Sequence, residues 1–190
     1  MAASKTDPVK QVDVLIVYAS GTPSKIRGII FEKTKQGRPD EVDAVTLATP
    51  LVENCETIAQ KLSAWLSENR LAVRAVRTRD IKSFNEILLA RQVIIGTPAR
   101  FWNVSWEVKK LFDEKFGAIY ALDNKLAGKR VSAYAMAEIT PSAEAALRAI
   151  KSVVSDCGGK YGPTMTLLTE YSKSEIERRM HSFLLEIQGF

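Results

Sequence analysis

Two short stretches of this chain carry residue types that could hold a ligand. The first is Thr97-Pro98-Ala99-Arg100-Phe101-Trp102-Asn103, which joins an apolar run (Val93, Ile94, Ile95) ending at Gly96 to a helical pattern that resumes at Ser105. Loops leaving the carboxyl ends of strands in an open parallel sheet line the place where such folds bind ligands, so residues 97 to 104 are the first place to look for function. The second is Ala19-Ser20-Gly21-Thr22-Pro23-Ser24, directly after the apolar run Val12 to Tyr18. Small hydroxyl residues and a glycine after a buried strand leave backbone N–H groups free to face an anion. The same residues serve equally well as a plain turn.

Other chemistries find little support. The single histidine, His181, sits beside the apolar stripe of the last helical segment, where an exposed side chain is expected, so a histidine-based triad or metal site is not indicated. Cys55 and Cys157 have no paired spacing, which argues against both a disulfide framework and a zinc site. Cys55 stands at a helix start and would be acidified if exposed. A small buried structural residue is the plainer reading.

The chain has 190 residues, 27 basic and 22 acidic, for a net charge of +5. That length fits one domain with a sizeable core. The basic groups are dispersed. Their densest group, Arg70, Arg74, Arg77 and Arg79, alternates with Ala72, Val73 and Val76 like a strand with a solvated edge, and no nucleic-acid stripe is expected. The apolar runs are too short to span a membrane and residues 1–10 lack a signal-peptide core, so a cytoplasmic location is expected.

The elements that must position the two stretches follow from periodicity. Residues 1–11 are polar and expected to be disordered, and residues 12–190 to form a single domain. Strands are predicted at 12–18, 71–78, 92–96, 131–136 and 163–168, and helices at 54–69, 80–89 (short, or a loop), 105–116, from Ser142 to about Cys157, and 172–187. Residues 25–52 break the alternation and read as an insertion after the first strand, with a small hairpin. Asn54 is a candidate N-cap, Trp65 is expected in the core, and Trp106 in the core or in helix packing. Five alternations of strand and helix predict an α/β fold, a three-layer doubly wound parallel sheet.

The run Ile95-Gly96-Thr97-Pro98-Ala99-Arg100-Phe101-Trp102-Asn103-Val104, followed by Lys109-Lys110-Leu111-Phe112-Asp113, resembles the flavin-contacting loop and helix of flavodoxin-like NAD(P)H:quinone oxidoreductases of the tryptophan-repressor-binding-protein type. Lys125 to Val131 is similar to the lead into the fourth strand of that group, and Ser20 to Ser24 to the phosphate loop of the related NADPH-dependent FMN reductases. The resemblance spans roughly residues 12–187. It implies a flavodoxin-like five-stranded sheet of order 2-1-3-4-5, with FMN at the switch point between first and third strands. The phosphate would sit on Ser20, Gly21, Thr22, Pro23 and Ser24 and at the helix start near Asn54 and Thr57. The isoalloxazine would lie along Thr97, Pro98, Ala99, Arg100, Phe101, Trp102 and Asn103, with Phe101 or Trp102 covering a face or edge and Arg100 stabilising the reduced ring. Glu53 and Glu56 would face that phosphate unless turned away or offset by Lys25 or Arg27. NAD(P)H would be the donor, a quinone or similar small molecule the acceptor, and the assembly a homodimer or homotetramer. A flavodoxin-like electron carrier and a binding module with a degenerate flavin site are the alternative readings.

Overall fold

The computed structural model describes residues 11–19, 30–31, 44–45, 54–122, 126 and 128–189. The sheet starts from β1 (Val14–Tyr18), five residues buried on both faces. It pairs in parallel with β4 (Val73–Arg77) on one side and β5 (Gln92–Pro98) on the other, with Val17 opposite Val76 and Ile95. The ladder continues from β5 to β6 (Arg130–Ala137) and from β6 to β7 (Lys160–Leu168), all parallel. The order β4-β1-β5-β6-β7 is the expected 2-1-3-4-5. Within residues 25–52, β2 (Ile30–Phe31) pairs antiparallel with β3 (Ala44–Val45).

Helices cover both faces because the central strands are apolar all round. On one face, α1 (Cys55–Glu68) and α6 (Lys173–Gly189) pack Ile58, Leu62, Leu66, Met180 and Phe183 onto Ile16, Ile94 and Tyr134. The other face takes α2 (Phe84–Leu89), α3 (Trp106–Leu111) and α5 (Thr140–Asp156). Each fully buried Leu or Ile contributes about 2 kcal/mol, far more than the few tenths at stake in local helix propensity, so the apolar stripes decide where the helices lie.

Several boundaries differ from expectation. The helix at 105–116 runs on as a π turn (Phe112–Phe116) and α4 (Gly117–Tyr120). α5 begins at Thr140, with Pro141 in its first turn where a missing N–H leaves no bond unmade. β7 begins at Lys160: Val131 faces Tyr161 while Ala133 faces Thr164, so an extra residue bulges beside Pro163, which has no N–H for the ladder. Trp65 is half-buried against the α1–α6 core. Trp106, expected in the core or in helix packing, is 72 % exposed. The inward stripe of α3 is Val108 and Leu111, and position 106 lies about 200° round the helix from Val108.

Among the described residues no helix is long and apolar enough to cross a membrane, and no group of acidic, cysteine or histidine side chains could hold a metal ion.

Candidate functional site

β5 delivers the loop to the carboxyl edge of the sheet, beside the point where the chain switches from one side of β1 to the other. Gly96 is required just beneath it. A Cβ there would lie 2.1 Å from Cζ of Tyr134, whose ring fills the space and whose hydroxyl donates to the Cys55 carbonyl at 2.6 Å. One buried ring thus ties β5 and β6 to the first turn of α1.

Thr97 is fully buried, and its hydroxyl closes the base of the loop. It accepts from the Ser105 N–H at 3.0 Å and donates to the Pro98 carbonyl at 3.1 Å. Pro98 and Ala99 are buried too, and the Ala99 N–H extends the β5–β6 ladder to the Met136 carbonyl at 2.7 Å. The Ser105 hydroxyl caps α3 by accepting from the Val108 N–H.

Beyond Ala99 the chain makes a two-residue reversal. The Arg100 N–H donates to the Asn103 carbonyl at 2.8 Å and the Asn103 N–H returns to the Arg100 carbonyl at 2.9 Å. Between them Phe101 and Trp102 take φ of 47° and 63°. Positive φ at both central residues is the type I′ arrangement, which favours Asn-Gly. An aromatic residue held there costs about 1 kcal/mol at each position. The turn nevertheless leaves Phe101 88 % and Trp102 58 % exposed. Among the described residues the N–H groups of Phe101 and Trp102 are the ones this loop leaves unspent; the Val104 N–H is taken by Asn103 Oδ1 at 2.8 Å.

At the start of α1, Asn54 is the N-cap that its position suggested. Its Oδ1 accepts from the Thr57 N–H at 2.9 Å and the Thr57 hydroxyl at 3.0 Å. Glu56 in the same turn reaches Arg77, at the end of β4, with 2.7 Å between Oε2 and the guanidinium. Tyr18, the last residue of β1, donates to its other oxygen at 3.4 Å. Burial pushes the Tyr18 phenol up, against the pull of the Arg77 guanidinium. The cation that offsets Glu56 is therefore Arg77, twenty-one positions along the chain, a partner that no local pattern announces. Cys55 is fully buried, and burial holds its thiol protonated. It supplies no thiolate.

Ser20, Gly21, Thr22, Pro23 and Ser24 lie outside the described residues, as do Lys25, Arg27 and Glu53. What the structure brings together at the rim is the 97–103 loop, the end of β1, and the capped start of α1 with Glu56 and Arg77. His181 is exposed on α6. The positive φ at Phe101 and Trp102 carries no sequence signal, because neither residue type favours it.

No protein-family model and no characterised protein sequence matches the chain. Solved structures do. A WrbA-like flavodoxin from Agrobacterium tumefaciens superposes with a TM-score of 0.62 at 13% identity, covering 94% of this chain and 96% of that one. The general stress protein 14 of Treponema denticola, solved in complex with FMN, gives 0.61 at 13% over 93% and 98%. A flavodoxin from the domain Archaea gives 0.60 at 12% over 93% and 96%. What these proteins share with the chain is the architecture, and they establish its fold as flavodoxin-like.

Proposed function

We propose that this protein binds FMN along the carboxyl rim of its sheet and passes electrons from NAD(P)H to a quinone or a similar small-molecule acceptor. The observation that carries the reading is the Arg100–Asn103 turn: two aromatic side chains held at positive φ, exposed, with two peptide N–H groups that no described residue accepts. A turn that costs conformational energy and buries nothing of its own fits a planar partner with acceptor atoms on its edge. The neighbour of like fold solved with FMN supports the same reading.

Each residue has a task in that site. The Phe101 and Trp102 N–H groups donate to the ring's acceptor atoms, and their side chains shield it from water. Arg100 sets a positive charge beside the ring's pyrimidine end. Thr97, Pro98, Ala99 and Asn103 hold the turn in shape. At the other end, Ser20 to Ser24 and the first turn of α1, with Asn54 and Thr57, take the phosphate, where the helix dipole favours an anion. Arg77 holds the Glu56 carboxylate so that the phosphate does not meet an uncompensated negative charge. When bound, FMN supplies the hydride-accepting and electron-donating chemistry.

The reading also carries a homodimer or homotetramer, with Tyr120 and Leu122 among the exposed apolar side chains available to an interface; sizing by light scattering checks it. An absorbance spectrum of the purified protein tests the cofactor. Bound flavin, or quenching of added FMN fluorescence together with a rise in melting temperature, is expected. Colourless protein that neither quenches nor is stabilised by FMN overturns the proposal. NAD(P)H oxidation coupled to quinone reduction by the FMN-loaded protein is the expected activity, and its absence with intact binding would leave an electron carrier.

A further inference from the structure

A second ligand position lies beside the rim, between the segment after β4 and α3, in a cleft of about 110 Å³. At its wall stands Thr78, 5 % exposed, whose hydroxyl has no hydrogen-bond partner among the described residues. A buried hydroxyl without a partner forfeits on the order of 1–3 kcal/mol, so one that persists in a ligand-sized cleft points to a group that arrives later.

The charges around it say which group. Arg79, Lys110 and Lys115 line the cleft, with Glu107 and Glu114 as the opposing carboxylates. Glu114 is shared by two of the cations at distances beyond a good hydrogen bond, 3.6 Å to Lys110 and 3.9 Å to Lys115. Lys115 also donates to the Lys82 carbonyl at 3.2 Å. Arg79, exposed, makes no ion pair among the described residues. Three cations against two carboxylates leave a net positive cleft, with a hydroxyl and a guanidinium that no described residue pairs. Its volume suits a few waters or one tetrahedral oxyanion, not an aromatic base. Trp106, mostly exposed at the mouth, offers a flat surface to whatever the oxyanion is attached to.

We propose that this cleft is a binding site for a phosphate group, held by Thr78, Arg79 and Lys110, either as free phosphate or as the phosphate of a nucleotide whose base lies on Trp106. None of its lining residues is among those assigned to the flavin, and the proposal does not depend on flavin binding. Arg79 gives a two-pronged charge-assisted contact and Thr78 the hydroxyl donor.

The indole N–H resonance of Trp106, assigned with Trp106→Phe, reads the cleft directly in a 15N correlation spectrum. Titrations use inorganic phosphate, ADP, and sodium chloride at matched ionic strength, in saturating FMN so that any flavin phosphate site is occupied. A saturable shift of Trp106 and not of Trp65 with phosphate is expected at millimolar concentration. Tighter binding of ADP identifies a nucleotide as the source, and equal binding identifies the free anion. Arg79→Ala should weaken binding about tenfold. Thr78→Val should weaken it roughly fivefold while leaving the melting temperature unchanged or raised, since it removes an unpaired hydroxyl. A shift that chloride reproduces, or one that Arg79→Ala and Thr78→Val leave intact, overturns the proposal, whether or not FMN binds.

Discussion

Two connections on the same rim solve the same problem in opposite ways. Between Lys82 and Glu86 nearly every polar group finds a local partner. The Glu86 carboxylate accepts from the Lys82 N–H at 2.7 Å, the Ser83 N–H at 3.0 Å and Arg74 at 2.6 Å, while the Ser83 hydroxyl accepts from the Asn85 N–H at 3.2 Å. Between Arg100 and Asn103 the backbone closes on itself but holds two aromatic residues in a conformation they disfavour, with their rings in water. The first connection exists to fix α2 against the sheet. The second is costly by itself, and the difference marks it as the part of the rim shaped for something outside the chain.

Gly96, beneath the strained turn, gives the largest expected effect. Gly96→Ala forces a methyl into the Tyr134 ring and should cost about 3 kcal/mol in urea denaturation, because the ring is fully buried and cannot step aside. Next comes the satisfied connection. Glu86→Ala strips partners from two backbone N–H groups and from Arg74, and should lower stability by about 2 kcal/mol while leaving FMN affinity within a few-fold of the parent. A loss of FMN binding in that variant would break the contrast between the two connections.

The strained turn should respond the other way. Replacing its tip by the pair that type I′ turns favour, Phe101→Asn with Trp102→Gly, should raise stability by about 1 kcal/mol and weaken FMN binding at least tenfold, read by thermal melts and fluorescence titration. Lower stability in the double variant would mean that the aromatic pair serves the fold. The smallest effect concerns acid. Burial pushes the Glu86 carboxyl up, but hydrogen bonds from the Ser83 N–H, Arg74 and the Lys82 N–H outweigh it and hold the group below its ordinary 4.5. Its contribution is therefore complete above 4.5 and is lost as pH falls through the lower folded value. Melting curves from pH 6 to 3 should show a drop that Glu86→Gln flattens.

The fold was legible because it rests on patterns that one element carries alone. The runs 14–18 and 93–95 are apolar on both faces, and Ile58, Leu62 and Leu66 mark one stripe of α1, so the layering followed, while the strand order came only with the resemblance to flavodoxin-like proteins. Trp106 misled because its residue type suggested burial while its helical phase put it outside. The candidate site was legible as a place and not as a geometry. Asn54 could be read as a cap from its position, but the pairing of Glu56 with Arg77 depends on strand β4 lying beside β1, and the handedness of Phe101 and Trp102 depends on bonds between Arg100 and Asn103 that close only in the folded loop.

The fit of Tyr134 over Gly96 also has a hereditary side. A chain descending from this one cannot acquire a side chain at position 96 unless position 134 gives up its ring in the same step or before. Giving up the ring also gives up the hydroxyl on the Cys55 carbonyl, so the start of α1 would be released from the sheet. Related sequences should therefore fall into two camps, one with glycine and tyrosine at these positions and one with neither, and members of the second should have found another anchor for the helix.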